Sequence, residues 1–65
     1  MVNSGEIIYN LRVKNNMSQG NLADKLNVSR QTVSKWETGV SSPDLSLIIP
    51  ITKIFHISAD ELLGI

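Results

Sequence analysis

Sixty-five residues with six Lys and Arg, six Asp and Glu, one His and no Cys describe a single small domain, residues 1–65, of zero formal net charge, near the lower size at which one core holds a fold unaided. Without cysteine there is no disulfide or thiolate metal site, and His56 alone cannot build a metal cage, so no cofactor or metal is expected. The longest apolar run, Leu47 to Ile51, contains Pro50 and is too short to span a bilayer, and no export signal opens the chain, so a cytoplasmic chain without a membrane partner is expected.

Helix punctuation recurs along the chain and predicts five helices with no competing strand pattern, an all-α domain. Asn3 and Glu6 have the form of a capping box that opens the first helix, in which Ile7, Ile8 and Leu11 supply an apolar stripe up to about Asn15 and Asn16. Ser18 caps a second helix, Gln19 to Leu26, with Leu22, Ala23 and Leu26 on its core side, and Gly20 and Asn21 weaken its first turn. After a tight connection at Asn27 and Val28, Ser29 caps a third helix, Arg30 to Thr38, ended by Gly39.

Val40 to Ser42 form a loop-like bridge, and Pro43 fits the first position of a fourth helix reaching about Phe55. Pro50 lies inside that helix and predicts a kink near Ser46 to Pro50. Leu45, Ile48, Thr52 and Phe55 share its core face, Ile51 flanks them, and Leu47, Pro50 and Ile54 point away. Ser58 and Glu61 form a second capping box, opening a short last helix, Ala59 to Leu63, that Gly64 stops. Asn16, Asn27 and His56 stand at helix ends and are expected to be left-handed terminators, which asks no proton or metal chemistry of His56.

Charge is distributed unevenly. Residues 12–37 hold Arg12, Lys14, Lys25, Arg30 and Lys35 against Asp24 and Glu37, whereas residues 38–65 hold Lys53 against Asp44, Asp60 and Glu61. The middle is basic and the tail acidic, which makes zero net charge a poor guide to partners.

On the third helix, a step of about 100° per residue places Arg30, Gln31, Ser34, Lys35 and Thr38 in one polar arc opposite Val33 and Trp36. Any surface helix has a polar arc, so this alone decides nothing. A helix of about eight residues, a tight turn and a second helix rich in outward donors and acceptors is, however, the plan in which the second helix lies in the major groove of double-stranded DNA. Arg bridges guanine O6 and N7, Gln bridges adenine N6 and N7, and Ser meets several base edges. Trp36, projecting with Val33, is expected in the core and not as a base-stacking ring.

The stretch "MSQGNLADKLNVSRQTVSKWETG", followed by "PDL" and "KIFHISADELLG", resembles the Cro/repressor-type (XRE-like) helix-turn-helix family from about Ile8 to Gly64. The resemblance implies a compact five-helix, lambda-repressor-like fold with its helix-turn-helix at about residues 19–38. It implies base contacts by Arg30, Gln31, Ser34 and Lys35. Phosphate contacts are implied for Gln19, Ser29, Thr32, Thr38, Val40 and Ser41, through side chains or backbone N–H groups, with Gln19 also orienting the reading helix. Arg12 and Glu37 match a pair that in the family joins the first helix to the reading helix. Gly20-Asn21 and Pro50 depart from the family's usual residues.

The apolar outer side of the fourth helix asks for a cover. A homodimer using Leu47, Pro50, Ile51, Ile54 and Ile65 supplies one and would set two reading helices on a roughly palindromic operator. A missing part of a longer regulator is the other cover. The function expected is a sequence-specific DNA-binding transcriptional regulator, most simply a repressor. The alternatives are an antitoxin-like DNA-binding partner of a second protein held at the fourth helix, and a protein-interaction module without DNA binding. With no Cys, one His and no phosphate-cradling Gly loop, no enzyme is expected.

Overall fold

The computed structural model describes residues 4–65, and the expected cap at Asn3 lies outside them. The fold is all-α: α1 Ser4–Lys14, α2 Gln19–Leu26, α3 Arg30–Glu37, α4 Leu45–Phe55 and α5 Ala59–Leu63. The third helix packs against both α1 and α2, while α5 closes on α4 and α1. Ile8, Leu22, Ala23, Leu26, Val33, Trp36, Ile48, Ile51, Phe55 and Leu62 form the core. Trp36 is 2% exposed, in the core as its helical phase requires. Among the described residues no helix is long and apolar enough to cross a membrane.

Helix ends explain most of the chain path. Asn16, Asn27 and His56 have φ of 56°, 57° and 56°, the left-handed turns that end α1, α2 and α4, and Gly39 and Gly64 take the same region at 81° and 75°. Ser18, Ser29 and Ser58 each cap a helix by accepting the backbone N–H three residues on. Asn21 does not merely weaken α2. Its side-chain oxygen accepts the Ser18 N–H at 3.1 Å while Ser18 Oγ accepts the Asn21 N–H at 3.0 Å, so Asn takes the place that Glu or Gln usually fills in a capping box.

Gly20 keeps only the entropic cost expected of it. A Cβ there would meet nothing nearer than Ser18 Oγ at 3.8 Å, an ordinary contact. Gly20→Ala is therefore expected to stabilise the domain by about 0.5–1 kcal/mol, read as a higher urea midpoint at unchanged slope.

The fourth helix departs from the sequence reading in three ways. It begins at Leu45 with Asp44 as N-cap, two residues after Pro43, because Asp44 stays extended (φ −62°, ψ 149°) and receives the Ser46 hydroxyl on its carboxylate. Leu45, on the first turn, is 84% exposed and not in the core, whereas Ile51 is wholly buried and unavailable to any interface. The helix continues through Pro50 to Phe55, as the sequence reading has it. Pro50 and Ser46 are both exposed, so the carbonyl that loses its helical partner to Pro50 belongs to a residue on the solvent side. The outer side is not uniformly apolar either: Ser46 and Lys53, both exposed, divide Leu45 and Ile49 from Leu47, Pro50 and Ile54.

Candidate nucleic-acid interface

The polar arc of α3 rests on a rigid base. Val33 and Trp36, buried beneath it, fix the rotation of the helix about its axis. Ser29 Oγ accepts the Thr32 N–H at 3.2 Å and shares a hydrogen bond with Thr32 Oγ1 at 2.9 Å, holding the first turn. At the other end, Thr38 Oγ1 donates to the Ser34 carbonyl at 3.0 Å and to that of Lys35 at 3.3 Å. The Lys35 carbonyl also accepts the N–H groups of Val40 at 2.9 Å and Ser41 at 3.2 Å.

These bonds revise the expected roles of several residues. The N–H groups of Val40 and Ser41 finish the helix, so a backbone approach to phosphate is already occupied at both; Ser41 keeps its hydroxyl, and Val40 offers an exposed isopropyl group. The hydroxyl hydrogen of Thr38 is likewise spent on the helix. By contrast Arg30, Gln31 and Lys35 are exposed, and their side chains, with that of Ser34, make no hydrogen bond or ion pair among the described residues. Those four side chains line one open depression on the surface. The donors divide into a tied set that shapes α3 and a free set that faces outward.

A charged brace holds α3 against α1 and α2. Arg12 Nε donates to Glu37 Oε2 at 2.7 Å and Nη2 donates to Oε1 at 2.9 Å, a two-pronged pair whose side chains are only 12% and 6% exposed. The expected Arg12–Glu37 pair is thus present. Gln19 Nε2 donates to the same Glu37 Oε1 at 3.1 Å, and Arg12 Nη1 donates to the Met17 carbonyl at 2.8 Å. One carboxylate ties the start of α2 and the end of α1 to the end of α3.

Burial pushes the Glu37 carboxyl up, but hydrogen bonds from Arg12 and Gln19 and the charge of Arg12 hold it below its usual range. The Arg12 guanidinium is raised chiefly by its hydrogen bonds to Glu37. Because the pair cancels internally, the unpaired charges left between residues 12 and 37 are Lys14, Lys25, Arg30 and Lys35 against Asp24.

Three parts of the brace escaped the sequence reading. Tyr9 places its ring 5.3 Å from the Arg12 guanidinium carbon, and its separation of three residues from Arg12 was a usable signal. The Gln19–Glu37 bond had none, because it depends on how separate helices dock, whereas the Met17 carbonyl lies five residues from Arg12 across the turn that ends α1.

A family profile described as helix-turn-helix matches residues 8–62. The chain is 41% identical over 59 residues to the HTH-type transcriptional activator BcrR of Enterococcus faecalis, covering 91% of this chain and 29% of that protein. It is 36% identical over 59 residues to the SPbeta prophage-derived uncharacterized HTH-type transcriptional regulator YonR of Bacillus subtilis (strain 168), covering 91% of this chain and 55% of that one. The chain therefore spans less than a third of the first relative and about half of the second. Among solved structures, a transcriptional regulator from Listeria innocua superposes with a TM-score of 0.91 at 31% identity, over 95% of this chain and 58% of the other. The P22 c2 repressor protein, solved in complex with synthetic operator 9T, superposes with a TM-score of 0.89 at 28% identity, over 97% of this chain and 96% of the other.

Proposed function

The chain belongs to the Cro/repressor-type (XRE-like) helix-turn-helix family, and on that premise we propose that residues 1–65 act as one sequence-specific double-stranded-DNA-binding domain of a cytoplasmic transcriptional regulator, not as an enzyme. The supporting observation is the free set of donors, Arg30, Gln31, Ser34 and Lys35, gathered on one face of a helix whose other side is buried and whose ends are tied. In the major groove, Gln31 matches adenine N6 and N7, and Lys35 and Arg30 match guanine O6 and N7. Gln19, Ser29, Thr32, Thr38, Val40 and Ser41 border this face; Gln19 has a second amide hydrogen to offer a phosphate, and the others contribute hydroxyl oxygens or apolar contact.

Repression is the simplest outcome, since a domain that occupies a promoter excludes other proteins without contacting them. The similarity to both an activator and a repressor leaves the sign of regulation to the site's position relative to the promoter. Selection of bound duplexes from a random pool tests the reading: an enriched, roughly palindromic sequence supports a dimeric reader, and no enrichment at low salt rejects DNA reading altogether.

Dimerisation is proposed through the strip of Leu47, Pro50 and Ile54 together with Ile65. Pro50 is exposed, Ile65 is 88% exposed, and Leu47 and Ile54 are half-buried against the core. Pro50→Glu with Ile65→Glu changes only the exposed members and spares the core. The pair is expected to sediment as monomer at concentrations where the parent is dimer; a variant that stays dimeric moves the interface elsewhere. A second protein partner, antitoxin-fashion, would be better served by the separate exposed strip of Leu45 and Ile49.

A further inference from the structure

Tyr9 is a large side chain with no place in the core. It is 48% exposed, next in the chain to the wholly buried Ile8, and its hydroxyl makes no hydrogen bond among the described residues. Its ring is what makes contact: the Arg12 guanidinium carbon lies over it, 5.3 Å from the centre, within reach of a cation–π attraction. Three residues apart on α1, the two side chains are neighbours on the helix surface.

The hydrogen bonds of Arg12 leave room for such a partner. Nε and Nη2 donate to Glu37 and Nη1 donates to the Met17 carbonyl; the donors of a guanidinium lie in its plane, so these bonds hold its edges and leave its faces open. What Arg12 holds is passed on through one atom. Glu37 Oε1 accepts from Arg12 Nη2 at 2.9 Å and from Gln19 Nε2 at 3.1 Å, so the place of the Gln19 amide depends on the place of the guanidinium. We propose that Tyr9 is a positioning residue for DNA binding: its ring seats the Arg12 guanidinium and, through Glu37 Oε1, fixes the Gln19 amide whose second hydrogen meets a phosphate. This rests on the reading that α3 enters the major groove with Gln19 on the DNA backbone. It gives α1 a share in affinity without a share in sequence preference.

The test compares Tyr9→Leu, which keeps apolar bulk and loses the ring, with Tyr9→Phe, which keeps the ring and loses the hydroxyl. Both are titrated by fluorescence anisotropy against the duplex enriched by selection and against versions of it changed at single base pairs. Tyr9→Leu is expected to weaken binding to every duplex about threefold per half-site, the strength of a partly exposed cation–π pair, and Tyr9→Phe to bind as the parent does. In a Gln19→Ala background the Tyr9→Leu change is expected to cost nothing further, a non-additivity that a general loosening of the fold would not produce. Without DNA, NMR is expected to show the Arg12 Nε–H exchanging with water faster in Tyr9→Leu and at the parent's rate in Tyr9→Phe. Specific binding that Tyr9→Leu leaves unchanged, a loss that persists without Gln19, or exchange that is the same in all three chains overturns the positioning role and leaves the DNA reading intact. Weaker binding by Tyr9→Phe overturns it too, by giving the hydroxyl a phosphate of its own. Failure to enrich any duplex overturns the DNA reading, and the role of Tyr9 in binding with it.

Discussion

Glu37→Ala is expected to destabilise the domain by about 3 kcal/mol, because it leaves the Arg12 guanidinium desolvated without its carboxylate. For a domain of this size that is a large fraction of total stability and lowers the melting temperature by roughly 15 °C. Replacing both partners together, Arg12→Met with Glu37→Leu, removes the buried charge along with its counter-ion and is expected to recover most of the loss in thermal melts. DNA affinity need not follow. Gln19 loses the acceptor that fixes its amide at 3.1 Å from Glu37 Oε1, so the recovered variant should still bind every duplex more weakly than the parent. Full recovery of affinity along with stability would reduce the brace to a matter of packing.

The same pair sets an acid limit. The folded-state carboxyl of Glu37 lies below its unfolded value, so its contribution is fully present above the usual carboxylate range and is lost as pH falls through the depressed folded value. Asp44 shifts in the same direction, through hydrogen bonds from the Ser46 hydroxyl and from backbone N–H groups. Stability should therefore be flat around neutrality and decline only in the acid range. Glu37→Gln should flatten part of that acid decline, since no proton is then taken up at that position.

How far the chain could be read in advance depended on whether a feature was local. Caps at Ser18, Ser29 and Ser58 and left-handed turns at Asn16, Asn27 and His56 need only neighbouring residues, and all were legible. The burial of Val33 and Trp36 followed from helical phase alone. Ile51 and Leu45 exchanged roles because phase gives an angle and not a neighbour: Leu45 lies at the very start of α4, beyond the core, and Ile51 lies mid-helix within it. At Val40 and Ser41 the resemblance to a family pointed to backbone donors, and only the three-dimensional end of α3 showed those N–H groups already bonded to Lys35.

Gln31→Ala and Lys35→Ala are expected to have the largest effects on recognition, about 1–3 kcal/mol at each half-site, and roughly twice that on a two-fold operator where both half-sites are hit. Neither side chain is bonded within the described residues and both are exposed, so truncation should leave the melting temperature nearly unchanged and isolate the effect on binding. The two differ in charge, which separates reading from positioning. Gln31 carries none, so its loss should leave the salt dependence of binding intact while relaxing preference at one base pair. Lys35→Ala should also relax preference at one position, four residues and about 6 Å further along the helix, or about two base pairs away. If instead Lys35→Ala weakens binding to all duplexes equally and flattens the plot of log affinity against log salt by about one for each half-site, Lys35 neutralises a phosphate and does not read a base. Gln31 and Arg30 would then carry the sequence preference alone.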